Sequence, residues 1–465
     1  LKLEEQQPAH CFSLPLQPIK KELMRKNVLN ILFVLALAIF GSVSQVLAQP
    51  GDLKDTTYLE SPDITPTCRQ IIGYYPSWQW YDRGGLMHPE RLDYTRYTIL
   101  QYAFYQCDTM GNVYGTDEWA DSVLLRGRFD WSSAVQPAYI PNTSLVDYAH
   151  VWGVKVCLSI GGWTLSENFP KVAADPARRA HFASECVRMC RTFQFDGIDI
   201  DWEYPGYADH KGTPADKENY TLFMKAIRDS LDAYGKEIKY KFLLTAAFGA
   251  NLSQMQFIEY EKLVPIMDYF NMMTYDFNGS WSEDANHNSP LYSPAKGYQG
   301  SVDECVKLLT TKFGVPPEKI LIGAGFYGRS LLFKDKPADL YATGHTGRVD
   351  DKIFRDDEGQ PQYYNIALKQ EKFFNEFWDD TAKVPYMISK DGKTFLSYDN
   401  ARSIRLKAEY LVEKELGGVI IWEVTGDYIE KTPGSGRLEG TPLSDELVNV
   451  MKPCRRKTIR RRWRS

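Results

Sequence analysis

The stretch Phe195-Asp196-Gly197-Ile198-Asp199-Ile200-Asp201-Trp202-Glu203-Tyr204-Pro205-Gly206 alternates acids with large apolar side chains. Successive side chains of a β-strand point to opposite faces. Asp199, Asp201 and Glu203 therefore share one face, and Ile198, Ile200 and Trp202 share the other. In a barrel the apolar face packs on surrounding helices, so the acids point inward, with Glu203 at the carboxyl end where such barrels carry their chemistry. Successive carboxylates then start about 6–7 Å apart at the backbone. Three ionised acids in one confined column repel, so at least one pKa must rise. A carboxylic acid still protonated near neutral pH is what general-acid chemistry needs. A calcium loop starting at Asp199 would need Gly at its sixth place and Glu at its twelfth. Tyr204 and His210 stand there. A solvated edge strand would not pair its acids with Ile, Ile and Trp. Asp196 lies on the other face from Asp199 and reads as structural.

Seven other short apolar runs surround this one: Ile71–Tyr75, Thr98–Phe104, Val154–Ile160, Phe242–Ala247, Tyr269–Thr274, Ile320–Gly325 and Gly418–Trp422. Two of the intervening stretches show helical periodicity. Ala177–Phe193 places Phe182, Cys186, Met189 and Phe193 on one stripe, and Ala215–Tyr234 does so with Tyr220, Phe223, Ile227 and Leu231. Apolar strands alternating with helices belong to the α/β class with a parallel sheet. Eight of them predict a (β/α)8 TIM barrel. About 90 residues separate the seventh run from the eighth, too many for a bare loop. The excess, Leu331 to Leu396, is polar and aromatic and reads as a small α+β insertion domain at the barrel mouth. The expected barrel therefore spans 69–330 and 397–450, and 451–465 form a basic tail.

The 465 residues carry 43% hydrophobic and 25% charged side chains, which excludes a disordered, fibrous or multi-span membrane chain. The net charge is −5. Seven of the positive charges lie in Arg455–Arg464 and two in Arg25-Lys26, leaving about −14 for residues 49–454. So acidic a body does not suit a phosphate backbone, and no nucleic-acid partner is expected. Residues 1–48 read as a leader with a start at Met24: Met24-Arg25-Lys26, an apolar run from Val28 to Phe40, then Val46-Leu47-Ala48. That is the pattern of a secretory signal peptide cut after Ala48. The run is short for a membrane span, which needs about 20 residues, so no stable membrane insertion is expected after cleavage. Export to the periplasm or outside the cell, and a monomer, follow as expectations. Seven cysteines follow Ala48 without paired CxxC knuckles, so a zinc site is not expected, and no other metal or cofactor belongs to the expectation. Cys186 and Cys190 read as small buried hydrophobes.

Asp-Gly-Ile-Asp-Ile-Asp-Trp-Glu resembles the DxxDxDxE signature of glycoside hydrolase family 18, the chitinases. Ser159-Ile160-Gly161-Gly162-Trp163 resembles the family's SxGG segment, and Met273-Thr274-Tyr275-Asp276-Phe277-Asn278-Gly279-Ser280-Trp281 its MxYDxxGxW segment. Tyr327-Gly328-Arg329 and Gly417-Gly418-Val419-Ile420-Ile421-Trp422-Glu423 resemble its last two strand ends, and Gly73-Tyr74-Tyr75 and Tyr102-Ala103-Phe104 its first two. The insertion resembles that of the deep-grooved subfamily. The resemblance implies substrate-assisted retaining hydrolysis of chitin or chito-oligosaccharides, with Glu203 as general acid/base and the substrate's own N-acetyl oxygen as nucleophile. It implies that Asp201 orients the acetamido group, that Asp199 shares a proton with it and that Tyr275 hydrogen-bonds the acetamido oxygen. Asp276 and Arg329 would bind polar groups of the sugar, Trp422 would be the floor, and Tyr74, Phe104 and Met273 would line the pocket. Trp163, reached through Gly161 and Gly162, and Trp281 would be stacking platforms on the leaving side. Tyr327 is left undecided, and His287 reads as structural. Asn278 stands where many members have His, and Ala324-Gly325-Phe326-Tyr327 lacks a Pro often found there. An endo-β-N-acetylglucosaminidase acting on glycoprotein glycans and an inactive chitin-binding lectin are the alternatives.

Overall fold

The computed structural model describes residues 69–294, 300–346, 352–354, 357 and 359–452. The leader, Cys68, Cys454 and the tail beyond 452 lie outside them. Eight strands form the barrel wall: β1 Gln70–Pro76, β2 Ile99–Cys107, β4 Lys155–Gly161, β5 Gly197–Asp201, β6 Leu243–Gly249, β7 Tyr269–Met273, β8 Ile320–Gly325 and β13 Gly418–Trp422. All eight runs expected from the apolar pattern are strands. Each pairs in parallel with its neighbours, in the order β1-β13-β8-β7-β6-β5-β4-β2. The sheet closes where β1 pairs with β2, Ile72 opposite Ile99. A short strand, β3 Val113–Gly115, extends β2 as a hairpin.

Strand alternation sorts the side chains into two cores. Ile71, Tyr75, Leu100 and Trp202 pack outward with the helices, whereas Ile72, Tyr74, Ile99, Phe104, Leu243, Leu321 and Ile420 fill the barrel interior. Both faces of every strand are buried, so the wall reads as near-continuous apolar sequence. The helix Pro176–Phe193 starts at Asp175, whose carboxylate accepts the N–H groups of Ala177 and Arg178. Such a cap satisfies two of the orphan donors of a helix start. Its buried stripe holds Phe182, Cys186, Met189 and Cys190. The next helix, Asp216–Ile238, runs one turn beyond the expected end. Gly235 permits this, because a Cβ there would lie 2.2 Å from the Tyr240 carbonyl oxygen.

Between β8 and β13 the chain builds a second, antiparallel sheet: β9 Arg329–Leu332, β10 Phe374–Asp379, β11 Val384–Ser389 and β12 Thr394–Ser397, in the order β10-β11-β12-β9. The helix Tyr363–Phe373 accompanies it. Two small clusters of its own, one around Ile366, Met387 and Leu396 and one around Leu331, Phe333 and Phe395, hold it together. Cys107, Cys157, Cys186, Cys190 and Cys305 are buried free thiols. No helix among the described residues is long and apolar enough to cross a membrane.

Candidate active site

β5 carries Asp199 and Asp201 into the barrel, and the turn after it carries Glu203. Trp202 points the other way and stacks on Phe169 at 5.5 Å. Asp199 is fully buried and accepts four hydrogen bonds: Thr245 Oγ1 at 2.6 Å and Asn271 Nδ2 at 3.1 Å on one oxygen, Ser159 Oγ at 2.7 Å and the Tyr74 hydroxyl at 3.0 Å on the other. Burial pushes its pKa up, and these four donors pull it back. Asp201 is buried as well, but its Oδ1 has no hydrogen-bond partner among the described residues. Burial, then the charges of Glu203 and Asp199, push its pKa well up. Of the two aspartates, the four-fold hydrogen-bonded Asp199 is the better anion, and Asp201 is the better holder of a proton.

Glu203 is half-buried, and burial raises its carboxyl to about 7. Bonding with Tyr204 and with the Trp163 peptide opposes the rise, and the Asp276 charge adds to it. Ser166 fixes the turn that presents it. The Ser166 hydroxyl accepts the Glu203 N–H at 2.9 Å and donates to the Gly162 carbonyl at 2.9 Å. The Gly162 N–H in turn donates to the Asp201 carbonyl at 2.7 Å. Gly161 (φ +119°) leaves no room for a side chain, since a Cβ would sit 2.1 Å from that same carbonyl oxygen. A Cβ on Gly162 (φ +93°) would sit 2.8 Å from the Phe104 ring.

Tyr275 and Asp276 follow β7. The Tyr275 ring fits against Gly323, where a Cβ would come within 2.7 Å, and lies edge-on to Tyr327. Asp276 accepts the Tyr327 hydroxyl at 2.7 Å and Arg329 Nε at 2.8 Å, and Arg329 Nη2 binds its other oxygen at 2.7 Å. Tyr327, left open by the sequence, thus joins the Asp276–Arg329 pair.

Aromatic rings form two surfaces. Trp422 stacks on Phe104 at 5.7 Å and tilts against Tyr74 at 5.8 Å, with Met273 partly buried beside them. Trp163, half exposed, stands over His210 at 4.5 Å, and His210 Nδ1–H donates to the Glu203 carbonyl at 2.6 Å. Trp281 is 58% exposed, with the Arg329 guanidinium 4.9 Å from its ring. Asn278, at the position departing from the family pattern, spends its amide on the His287 carbonyl at 3.0 Å. His287 itself is buried and paired with Asp379 at 2.9 Å. Asp196 meets His150 and the Val156 N–H, each at 2.8 Å, on the outer face.

The profile of glycosyl hydrolases family 18 matches residues 70–427. This chain belongs to that family. The family 18 chain is 32% identical over 400 residues to chitinase A1 of Niallia circulans, a match covering 77% of this chain and 56% of that protein. It is 30% identical over 436 residues to endochitinase 1 of Metarhizium robertsii, covering 90% of this chain and 96% of that protein. Among solved structures it is similar to chitinase ChiA74 from Bacillus thuringiensis, with a TM-score of 0.72, 29% identity, and coverage of 84% of this chain and 71% of the other. The family 18 chain is accordingly a glycoside hydrolase with chitinase relatives and a (β/α)8 fold.

Several contributors escape a reading by motif. Thr245 and Asn271 are polar residues inside apolar strands, and each faces inward by the same alternation that places Asp199. That misfit is the signal that finds them. Trp78 stacks on Phe104 at 6.0 Å and tilts against Trp422 at 6.3 Å. It lies just past β1, in the run Ser77-Trp78-Gln79-Trp80, whose aromatic density was the available hint. Ser166 carries no sequence signal. Among the described residues no cluster of three or more His, Cys, Asp or Glu is arranged to hold a metal ion.

Proposed function

We propose that this family 18 glycoside hydrolase cleaves β-1,4 bonds between N-acetylglucosamine units of chitin or its oligomers with retention of the anomeric configuration. The observation that carries the reading is the acid column itself. Glu203, raised to about 7, stands beyond Asp201, whose buried Oδ1 has no hydrogen-bond partner among the described residues, and Asp199 behind it is held by four donors. Glu203 donates its proton to the glycosidic oxygen as the bond to the anomeric carbon breaks. The acetamido carbonyl oxygen of the same sugar attacks that carbon and gives a cyclic oxazolinium. Asp201 hydrogen-bonds the acetamido N–H and holds it in place, and the Asp199 anion behind it balances the positive charge that develops. Tyr275 hydrogen-bonds the acetamido oxygen. Water then adds to the anomeric carbon, returns a proton to Glu203 and reopens the ring. Apolar sugar faces stack on Trp422, Trp163 and Trp281, while Asp276 and Arg329 take polar groups.

The test is hydrolysis of a chitin hexamer, following product sizes and the first anomer formed. The wild type should yield short oligomers as the β-anomer, and Glu203→Gln should lose about 100- to 10,000-fold in rate. Binding without cleavage would assign a lectin. Cleavage of a high-mannose glycopeptide in its place would assign a glycan-specific relative. The reading includes export through the leader. A secreted form beginning elsewhere than Gln49 would contradict the expected cut.

A further inference from the structure

Asp276 has φ +58°, in the left-handed region that few residues with a side chain occupy. Asn288 holds its backbone. The Asp276 N–H donates to Asn288 Oδ1 at 2.9 Å, and the following N–H, of Phe277, donates to the Asn288 carbonyl at 3.0 Å. Asn288 is 1% exposed, and its own N–H donates to Ser397 Oγ at 2.7 Å, on β12. Ser397 lies directly opposite Arg329 on β9. Arg329 reaches back to the Asp276 carboxylate. The circuit is closed: Asp276 backbone, Asn288, Ser397, Arg329, Asp276 carboxylate. It ties the catalytic turn of the barrel to the second sheet.

The residues beside Asn288 hold the same turn from either side. Ser289 Oγ donates to the Thr274 carbonyl at 2.6 Å and accepts from the buried Lys407 Nζ at 2.7 Å. The His287 carbonyl accepts the Asn278 amide. Residues 274 to 278 are therefore suspended from 287 to 289, with Asn288 at the centre.

Resting on the function proposed above, we infer that Asn288 is a positioning residue: it holds the Asp276 backbone in the conformation that turns the Asp276 carboxylate toward the reacting sugar. It touches no substrate, and it acts through Asp276. Small misplacements of groups around a reacting centre cost about 100-fold in rate, so the effect belongs to kcat.

The experiment uses the full chain with Asn288→Ala, Asn288→Asp, Asp276→Ala and the double variant Asn288→Ala/Asp276→Ala. It reads kcat and KM on a chito-oligosaccharide with a chromogenic leaving group, and thermal unfolding. Asn288→Ala should lower kcat by about 10- to 100-fold with KM within about threefold. Asn288→Asp, which keeps an acceptor oxygen, should recover most of the loss. In the Asp276→Ala background the added Asn288→Ala should change kcat by less than about threefold, because both act through one group. Should Asn288→Ala not fold, Ser397→Ala opens the circuit at its other end and should lower kcat about three- to tenfold by the same misplacement. An active wild type with a kcat-neutral Asn288→Ala or Ser397→Ala, or with independent multiplicative losses in the double variant, overturns the positioning role alone. A wild type that cleaves no chito-oligosaccharide overturns the proposed function as well.

Discussion

Burial lifts the Glu203 carboxyl to about 7 against the pull of Tyr204 and the Trp163 peptide. An acid catalyst works in its protonated form, so its share of the rate is full below that value and lost above it. The alkaline limb of the kcat/KM profile should fall with a midpoint near 7, and a rate still rising above about pH 9 would contradict the assignment. The same shift acts on stability. Between the unfolded carboxyl value and about 7 the folded chain binds the extra proton, so stability drains away as pH rises through that window. Glu203→Gln has no such loss, and its melting temperature should gain on the wild type between about pH 5 and pH 8. The acid triad was legible in the sequence because period-two alternation needs no tertiary knowledge. The division of labour within it was not. Which aspartate is the anion depends on Thr245, Asn271, Ser159 and Tyr74, which come from four other strands.

At the level of elements, the strands are legible in the sequence because both faces of a parallel barrel strand are buried, which leaves short apolar runs between helices. The turns are less transparent. Gly161 allows β4 to bend under the carbonyl of Asp201, and the same bend lets Gly162 bond that carbonyl. Gly161→Ala adds a methyl 2.1 Å from that oxygen, at a backbone angle that side-chain-bearing residues rarely adopt. The expected cost is on the order of 3 kcal/mol, read as a lower melting temperature, together with loss of hydrolysis because Asp201 and Glu203 shift. A variant with wild-type stability and rate would show that the bend is dispensable.

On the scale of the whole molecule, further exposed rings follow Trp78 in the chain. Trp78 shares a turn with Tyr81, whose hydroxyl donates to Asp117 at 2.9 Å. Asp117 caps the helix Glu118–Arg126, which carries Trp119. Trp119 lies 5.8 Å from Trp131, and Trp131 is 4.5 Å from Phe129 and 77% exposed. Open rings can stack on sugar faces without a shaped pocket. Trp131→Ala should weaken retention on crystalline chitin while leaving kcat/KM on a soluble chito-oligosaccharide within about twofold, because Trp131 is an exposed surface residue that touches none of the acids in the described contacts. Equal losses on both substrates would place Trp131 in the active site itself.

Local period and close spacing carry the eight strands, the inward acids, the glycine pair before Trp163 and the long insertion before the last strand. Which distant groups share a charge or a hydrogen bond is set by the folded chain alone. Asn288 lies 12 positions from Asp276 and Ser397 109 positions from Asn288, yet they form one circuit through Arg329. Barrel closure brings such residues together, and the energy of a buried carboxylate depends on every donor within hydrogen-bond reach, whatever its place in the chain.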